Sequence, residues 1–320
     1  MNGKIREMHI LKVWARYVYL VPLFLAPVAS VWAATLDVGP GKPYSSPSKA
    51  IAAAHDGDTV LIAPGTYFDC AIVRQNNLTI AGSGPNAAAV LTDKACAGKA
   101  LLVIDGHDVT VRNLTLTRAR VPDGNGAGIR AEGGNLTVDH VSFINNQDGI
   151  LAAPAPDATI IVRDSIFDRN GSCEHGCAHG IYVGPLKLLR IVNSTFTDTH
   201  QAHHIKSRAA RTEVIGCHIS DGPEGTASYE IDIPNGGAVV VRDNVIEKGP
   251  KAENHTGAIM IGEEGVTQPT PEITIANNTF RNDGNYMTFF VVNDTATKAM
   301  LKGNKLSGSV KPLRGDGKVE

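Results

Sequence analysis

The sequence predicts an all-β chain wound as a coiled parallel solenoid, with a short N-terminal helix capping one end. Three observations predict it. The 320 residues include 33 glycines but only 5% aromatic and 19% charged residues. That balance suits many short strands and turns and argues against a helical bundle or a long coiled coil. The 42% hydrophobic content sets the chain apart from disordered sequences. Second, one six-residue pattern recurs as VRNLTL, VDHVSF, VRDSIF, IVNSTF, VIGCHI, VRDNVI, IANNTF and LKGNKL. Its third residues are Asn113, His140, Asp164, Asn193, Gly216, Asp243, Asn277 and Gly303, spaced by 27, 24, 29, 23, 27, 34 and 26 residues. Third, a second strand motif follows each first one: GIRAE, GILAA, GIYVG, HIKSR, EIDIP, AIMIG and FFVVN. A unit this small cannot bury its own apolar face, and stacking the units makes one continuous core.

The elements follow in chain order. Residues 1–33 read as a secretory signal: Lys4, Arg6, Lys12 and Arg16 precede an uncharged run over residues 17–33, with small Val31 and Ala33 positioned for cleavage before Ala34. The competing reading is an uncleaved anchor, but the run is short for a bilayer and Pro22 and Pro27 interrupt it. The expected location is secreted or periplasmic, with no membrane span once the signal is removed. Taking away those four bases and Glu7 lowers 30 basic and 32 acidic residues to 26 and 31, a net charge of −5, which does not suit a nucleic-acid partner. Residues 34–57 read as a strand and the cap helix, with Ser46 or Ser48 as its N-cap and Ala50, Ile51 and Ala54 as its apolar face. The solenoid spans 58–310, and 311–320 is a polar, frayed tail.

An exported chain permits disulfides. Cys173 and Cys177 close the tight loop GSCEHGC, Cys70 and Cys96 form a second pair, and Cys217 is a small buried residue. The alternative for the tight loop is a metal held by Cys173, His175, Cys177 and His179. The Asn/Asp/Gly third residues suit tight corners and side-chain ladders along the stack. The Asn-x-Thr/Ser triplets at Asn77, Asn113, Asn135 and Asn193 are read the same way, not as glycosylation sites.

The segment GDTVLIAPGTY (residues 57–67), followed by these rungs, resembles the right-handed parallel β-helix proteins of the pectate-lyase-like superfamily over about residues 35–310. That resemblance implies a right-handed parallel β-helix. It leaves function open, because the superfamily holds polysaccharide lyases, polygalacturonase-type hydrolases, uronate epimerases and proteins with no demonstrated activity.

Period-two alternation places Ile129, Ile150, Ile181, Ile205, Ile231, Ile259 and Phe290 inside. One outward column then reads Arg130, Leu151, Tyr182, Lys206, Asp232, Met260 and Val291, and another Gly128, Gly149, Gly180, His204, Glu230, Ala258 and Phe289. Rungs about 4.8 Å apart bring Tyr182, His203, His204, Lys206, Arg208, Glu230 and Asp232 into one patch, with Asp148, His179, Tyr229, Glu263 and Glu264 at its margin. The insertions near 121–127, 171–178, 222–228 and 250–257 are the expected groove walls.

Clustered titratable groups of both signs point to a site, as against a merely solvated face. Elimination from a uronate polymer needs a group that neutralises the carboxylate, a base and an acid. Arg208 or Arg130 suits the first role and Lys206, its pKa lowered by Arg208, the second. Tyr182, His203 or His204 suits the third. The lysine and arginine on the outer face resemble the superfamily's lyase branches. Substrate contacts are expected from Arg130, His179, Tyr229, Glu230 and Asp232. Glu230 and Asp232 one rung away would instead raise the pKa of Lys206, and they are candidate calcium ligands. The same two acids, about 7 Å apart, would serve an inverting hydrolase. Asn146-Gln147-Asp148-Gly149, Ala178-His179-Gly180 and His204-Ile205-Lys206 are similar to polygalacturonase motifs, but that family's rung of paired aspartates is missing. The reading is a monomeric polysaccharide lyase acting on an acidic polymer, with a hydrolase or a glycan-binding scaffold as alternatives.

Overall fold

Each circuit of the chain lays one short strand into each of three parallel sheets, because Gly, Asn and Asp corners follow β-branched and apolar runs too short for anything else. The computed structural model describes residues 33–320, with Met1 and Gly3, so the expected signal lies outside the described residues. Among the described residues the first sheet has 12 strands, from Thr35–Val38 to Gly317–Val319. The second has 10, from Gly65–Tyr67 to Lys305–Ser307, and the third 10, from Ala71–Val73 to Val310–Gly315.

The corner between the first and second sheets is the eightfold sequence pattern. All eight third residues are left-handed, from φ 49° at Asn193 to φ 65° at Gly216 and Gly303. Short polar residues and glycine tolerate that region best. The main buried ladder, however, runs one residue later than expected. Backbone N–H groups of Cys217, Asn244 and Asn278 donate to Oδ1 of Asn244 (2.7 Å), Asn278 (3.0 Å) and Asn304 (3.0 Å). Each asparagine Nδ2 donates in turn to a carbonyl, Val214, Val241 and Ile275 respectively. Buried backbone groups at the corner are thereby satisfied from the next rung.

Inside, Phe143, Phe167 and Phe196 stack with ring centroids 4.6 and 4.5 Å apart, and Ile219, Ile246 and Phe280 continue the column in register. Across from them the third sheet bends, and here the expected orientation is corrected. The column from Gly128 to Glu230 points inward, because the bend breaks the alternation just before the isoleucine column. A Cβ at Gly149 would lie 2.4 Å from the Gly180 carbonyl oxygen and 2.7 Å from the Phe167 ring. Ile129, Ile150, Ile181, Ile205, Ile231 and Ile259 are fully buried and in register, but their last partner is Val291 rather than Phe290, so the outward column ends at Val292.

Where isoleucine replaces phenylalanine in the facing column, His204 and Glu230 replace glycine. Both are completely buried, which corrects their expected place on the outer patch. His204 Nδ1 donates to Thr199 Oγ1 (2.7 Å), and its Nε2 lies 3.0 Å from Asp221 Oδ1 and 3.2 Å from Glu230 Oε2. Lys248 Nζ, also fully buried, donates to the Ser228 carbonyl (2.8 Å) and sits 3.3 Å from Glu230 Oε1. Burial alone would lower the His204 pKa, but Asp221 and Glu230 hold it up at about 9. Burial and Asp221 raise Glu230, against the pull of Lys248 and His204.

The ends are closed differently from each other. The helix Pro47–Ala53 covers the first rungs with Pro47, Ala50 and Ile51. Ser46 is its N-cap by position but makes no side-chain cap bond; the Ser48 N–H donates instead to Asp69 Oδ2 (2.7 Å). Residues 311–320 are not a frayed tail: they supply most of the last strand of the third sheet and the whole last strand of the first. Disulfides join Cys70 to Cys96 and Cys173 to Cys177, which removes the metal-loop alternative, and Cys217 is free and buried.

Two outcomes are expected. Gly149→Ala should lower stability by about 1–3 kcal/mol in urea denaturation, through overpacking against Phe167 and the Gly180 carbonyl. His204→Leu should cost about 3–5 kcal/mol by stranding two buried carboxylates. The unfolded imidazole titrates near 6.5 and the folded one near 9, so the stability from its proton is full below 6.5 and lost as pH rises through 9. The wild-type thermal midpoint should fall across that window and that of His204→Leu should not.

Candidate functional site

The site lies on the outer face of the third sheet, on Ile181–Val183, His203–Ser207 and Tyr229–Ile233. Register places Tyr182, Lys206 and Asp232 side by side on successive rungs. Just before the bend a second outward column stacks the rings of His179, His203 and Tyr229, with centroids 5.0 and 5.1 Å apart. Its hydrogen bonds run along the stack. The N–H groups of His179, His203 and Tyr229 donate to Asp148 Oδ1 (2.7 Å), His179 Nδ1 (3.2 Å) and His203 Nδ1 (3.2 Å). An imidazole that accepts at Nδ1 carries its proton on Nε2 and is neutral. Burial, then the nearby Lys206 charge, lowers His179 to about 3, and burial and His179 push His203 well below its ordinary value.

The charged centre is built around Lys206. Its Nζ is 3.0 Å from Asp232 Oδ2 and donates to Glu264 Oε1 at 2.7 Å. Burial pulls the Lys206 pKa down, but Asp232 and Glu264 outweigh it and the net shift is upward. Lys206 is therefore an ammonium at neutral pH, which corrects its expected role as a base activated by Arg208. Arg208 donates from Nε to Tyr182 Oη (3.0 Å), from Nη1 to Asn235 Oδ1, and from Nη2 to Glu264 Oε2 (2.6 Å). Both cations lie over the Tyr182 ring, Nζ at 6.0 Å and the guanidinium carbon at 5.7 Å. Asp232 is fully buried beneath Lys206, and its Oδ1 has no hydrogen-bond partner among the described residues. Burial raises its pKa to about 7, against the opposing charge of Lys206. The Tyr229 hydroxyl donates to Glu263 Oε2 (3.0 Å) and accepts from Asn254 Nδ2 (2.8 Å).

Most of these groups line a cleft of about 510 Å³; Asp232, buried beneath Lys206, does not. Insertion 171–178 contributes Cys177, 222–228 contributes Ser228 and 250–257 contributes Glu253; insertion 121–127 lines none of it. The sequence reading gathers Tyr182, His203, Lys206 and Arg208 correctly in space. Arg130 lies two rungs from Tyr182, beside Glu132 (3.4 Å), and does not line the cleft. His179 and Tyr229, expected at the margin, form its wall. Glu263 and Glu264 turn out central. Asn235 and Asn254 were not singled out, because they stand on turns and insertions where no strand alternation assigns a direction.

The paired acids need a further correction. Glu230 faces the interior and Asp232 the outer site, so they form neither an inverting hydrolytic pair nor a common calcium site. Oxygens of Asp232, Glu263 and Glu264 do lie within 4.8 Å of one another. Lys206 already pairs with Asp232 and Glu264, and Arg208 with Glu264, and a calcium ion would need six or more oxygens. These residues do not fit calcium well. In the polygalacturonase-like stretch, Asn146 and Gln147 have structural work instead. Asn146 bonds to Asn170 and the Leu116 carbonyl, and Gln147 Oε1 accepts from the Val121 and Gly126 N–H groups.

Comparison with known proteins places this geometry. Residues 162–313 match the family described as a right handed beta helix region. No curated protein matches the sequence. An alginate lyase from Paenibacillus sp. str. FPU-7 superposes with a TM-score of 0.56 at 16% identity, over 89% of this chain and 99% of that one. The deglycosylated pectin methylesterase from Aspergillus niger gives 0.49 at 12% identity, over 88% and 91%. A pectin methylesterase from Erwinia chrysanthemi gives 0.41 at 11%, over 86% and 92%. At 16% identity the alginate lyase speaks for shared architecture only. The three parallel sheets, the family match over residues 162–313 and the likeness to the alginate lyase together show a right-handed parallel β-helix.

Proposed function

We propose that the cleft binds an acidic, uronate-containing polysaccharide and cleaves it by β-elimination. The observation that carries this reading is the Lys206–Arg208 pair, two cations converging on one carboxylate beside a phenol whose oxygen already accepts from Arg208. Elimination builds negative charge on the uronate carboxyl group as the proton on the adjacent carbon leaves. Fixed cations at that position stabilise the transition state more than the ground state. Lys206 and Arg208 are the carboxylate clamp.

Tyr182 handles the proton. Its oxygen faces Arg208 Nε, and charge developing there is stabilised by both cations. Once it has given up its own proton, the Tyr182 oxygen takes the proton alpha to the carboxyl group. The carbon–hydrogen electron pair becomes the new double bond, the bond to the leaving glycosidic oxygen breaks, and the phenol returns the proton to that oxygen. No water is consumed, so the product is an unsaturated sugar. His179 and His203, neutral and stacked, supply a polar wall without competing for the carboxylate. The alginate lyase among the structural neighbours agrees with this reading. The two disulfides suit an oxidising, extracytoplasmic location, and among the described residues no helix is long and apolar enough to cross a membrane. We take the protein to act there as a monomer.

The first test is the ultraviolet band of the unsaturated product on a panel of uronate polymers, with calcium and with chelator. A band independent of calcium is expected, falling about 100-fold or more in Tyr182→Phe while binding is retained. New reducing ends without that band would overturn elimination. The second test is pH dependence. Asp232 protonates as pH falls through about 7, the site gains one positive charge, and polymer binding should tighten between about pH 8 and 6. Asp232→Asn should flatten that dependence in equilibrium titration.

A further inference from the structure

Glu264 holds the cation pair in a way that its surroundings do not require. Its two carboxylate oxygens are divided between Lys206 Nζ (2.7 Å) and Arg208 Nη2 (2.6 Å), one charge-assisted hydrogen bond to each cation. Yet the side chain is 40% exposed at the mouth of the cleft, while Lys206 is 11% and Arg208 21% exposed. Neither cation depends on it for position. Lys206 keeps Asp232 at 3.0 Å, and Arg208 keeps Asn235 and the Tyr182 hydroxyl. The backbone around it is fixed independently. Gly262 N–H donates to the Ile233 carbonyl (3.0 Å), Glu264 N–H to the Pro234 carbonyl (3.1 Å), and Asn235 Nδ2 to the Gly265 carbonyl (3.0 Å). Only the Glu264 side chain is free to leave.

We infer that the Glu264 carboxylate is a built-in stand-in for a substrate carboxylate, occupying the Lys206–Arg208 subsite at rest and exchanging with a uronate carboxylate on binding. The inference rests on the proposed function and adds a control to it. A neutral sugar has nothing to displace Glu264 and meets a closed ion pair. A carboxylate sugar replaces one two-oxygen anion by another, so charge balance at the cations is kept during exchange. Glu264 then competes only with ligands that need the two cations, lowering affinity for a carboxylate sugar, while an uncharged one gains nothing by displacing it and leaves the subsite closed. The groups facing the exchanging carboxylate are Lys206, Arg208, Tyr182, Asp232 and Glu263. The two acids repel a freed Glu264, and with the open mouth they direct it outward.

The test is equilibrium binding in the Tyr182→Phe background, which blocks turnover and leaves Arg208 held by Asn235. The ligands are an oligo-uronate, its methyl ester, a sulfated oligosaccharide of equal length and a neutral glucan oligomer. Thermal melts of Glu264→Gln and Glu264→Ala should stay close to the parent. Both substitutions should tighten oligo-uronate binding by about tenfold, as expected when one competing ion pair is removed, and the methyl ester should gain much less. Uronate binding that is unchanged or weaker in both variants would overturn the inference and make Glu264 a brace for the cations, leaving the proposed function intact. Equal gains for the sulfated ligand would overturn carboxylate selectivity. Failure of parent and variants alike to bind any oligo-uronate would overturn both the inference and the proposed function.

Discussion

Parallel, in-register stacking holds every position of one rung about 4.8 Å above its equivalent in the next. Each column of the solenoid is therefore one environment repeated. Phe143, Phe167 and Phe196 stack because their neighbours in the column are also rings, and Asn244, Asn278 and Asn304 satisfy each other because each stands one rung from the next. The site depends on the same regularity. Nothing in the local sequence holds Tyr182, Lys206 and Asp232 together; the register does.

The bend in the third sheet decides which groups meet solvent. His203 and His204 are adjacent in sequence and end on opposite sides of the wall. The first stacks in the outer ring column, where burial and neighbouring groups keep it neutral. The second sits in the core among carboxylates that keep it protonated. Tyr229 and Glu230 divide the same way. The interior cluster of His204, Asp221, Glu230 and Lys248 lies directly behind the cleft. Four buried charged groups of alternating sign are tolerable only if every partner is present, so this part of the wall has little freedom to shift. A rigid backing suits a cleft whose cations must be held within a fraction of an ångström.

Charge balance in the cleft follows from burial. Asp232, fully buried below Lys206, ionises reluctantly and titrates near neutrality. Glu264, half out in solvent and between two cations, stays ionised: burial alone would raise its pKa, but Lys206 and Arg208 lower it on balance. The two acids flank one lysine from below and above and differ in what they do. The lower one tunes the charge of the site with pH, and the upper one occupies its mouth. A chain with an overall excess of acids can in this way present a local cationic subsite to an anionic polymer.

By itself the sequence determined the solenoid, its corners and the third-sheet isoleucine column, because those depend on short-range periodicity and on which residues tolerate a left-handed φ. It also placed the right strands and three of the four insertions around one patch, so Tyr182, His203, Lys206 and Arg208 were legible as neighbours. Only the tertiary structure decided direction and partnership. Alternation predicts a side only where a strand is regular, and the bend before the isoleucines reversed His204 and Glu230. The single-residue shift at Val291 was invisible for the same reason. Glu264 sits 58 residues from Lys206 in the chain, on a turn with no period. Its contact exists because stacking returns the chain to the same face two rungs later, and that closure is a property of the coil as a whole.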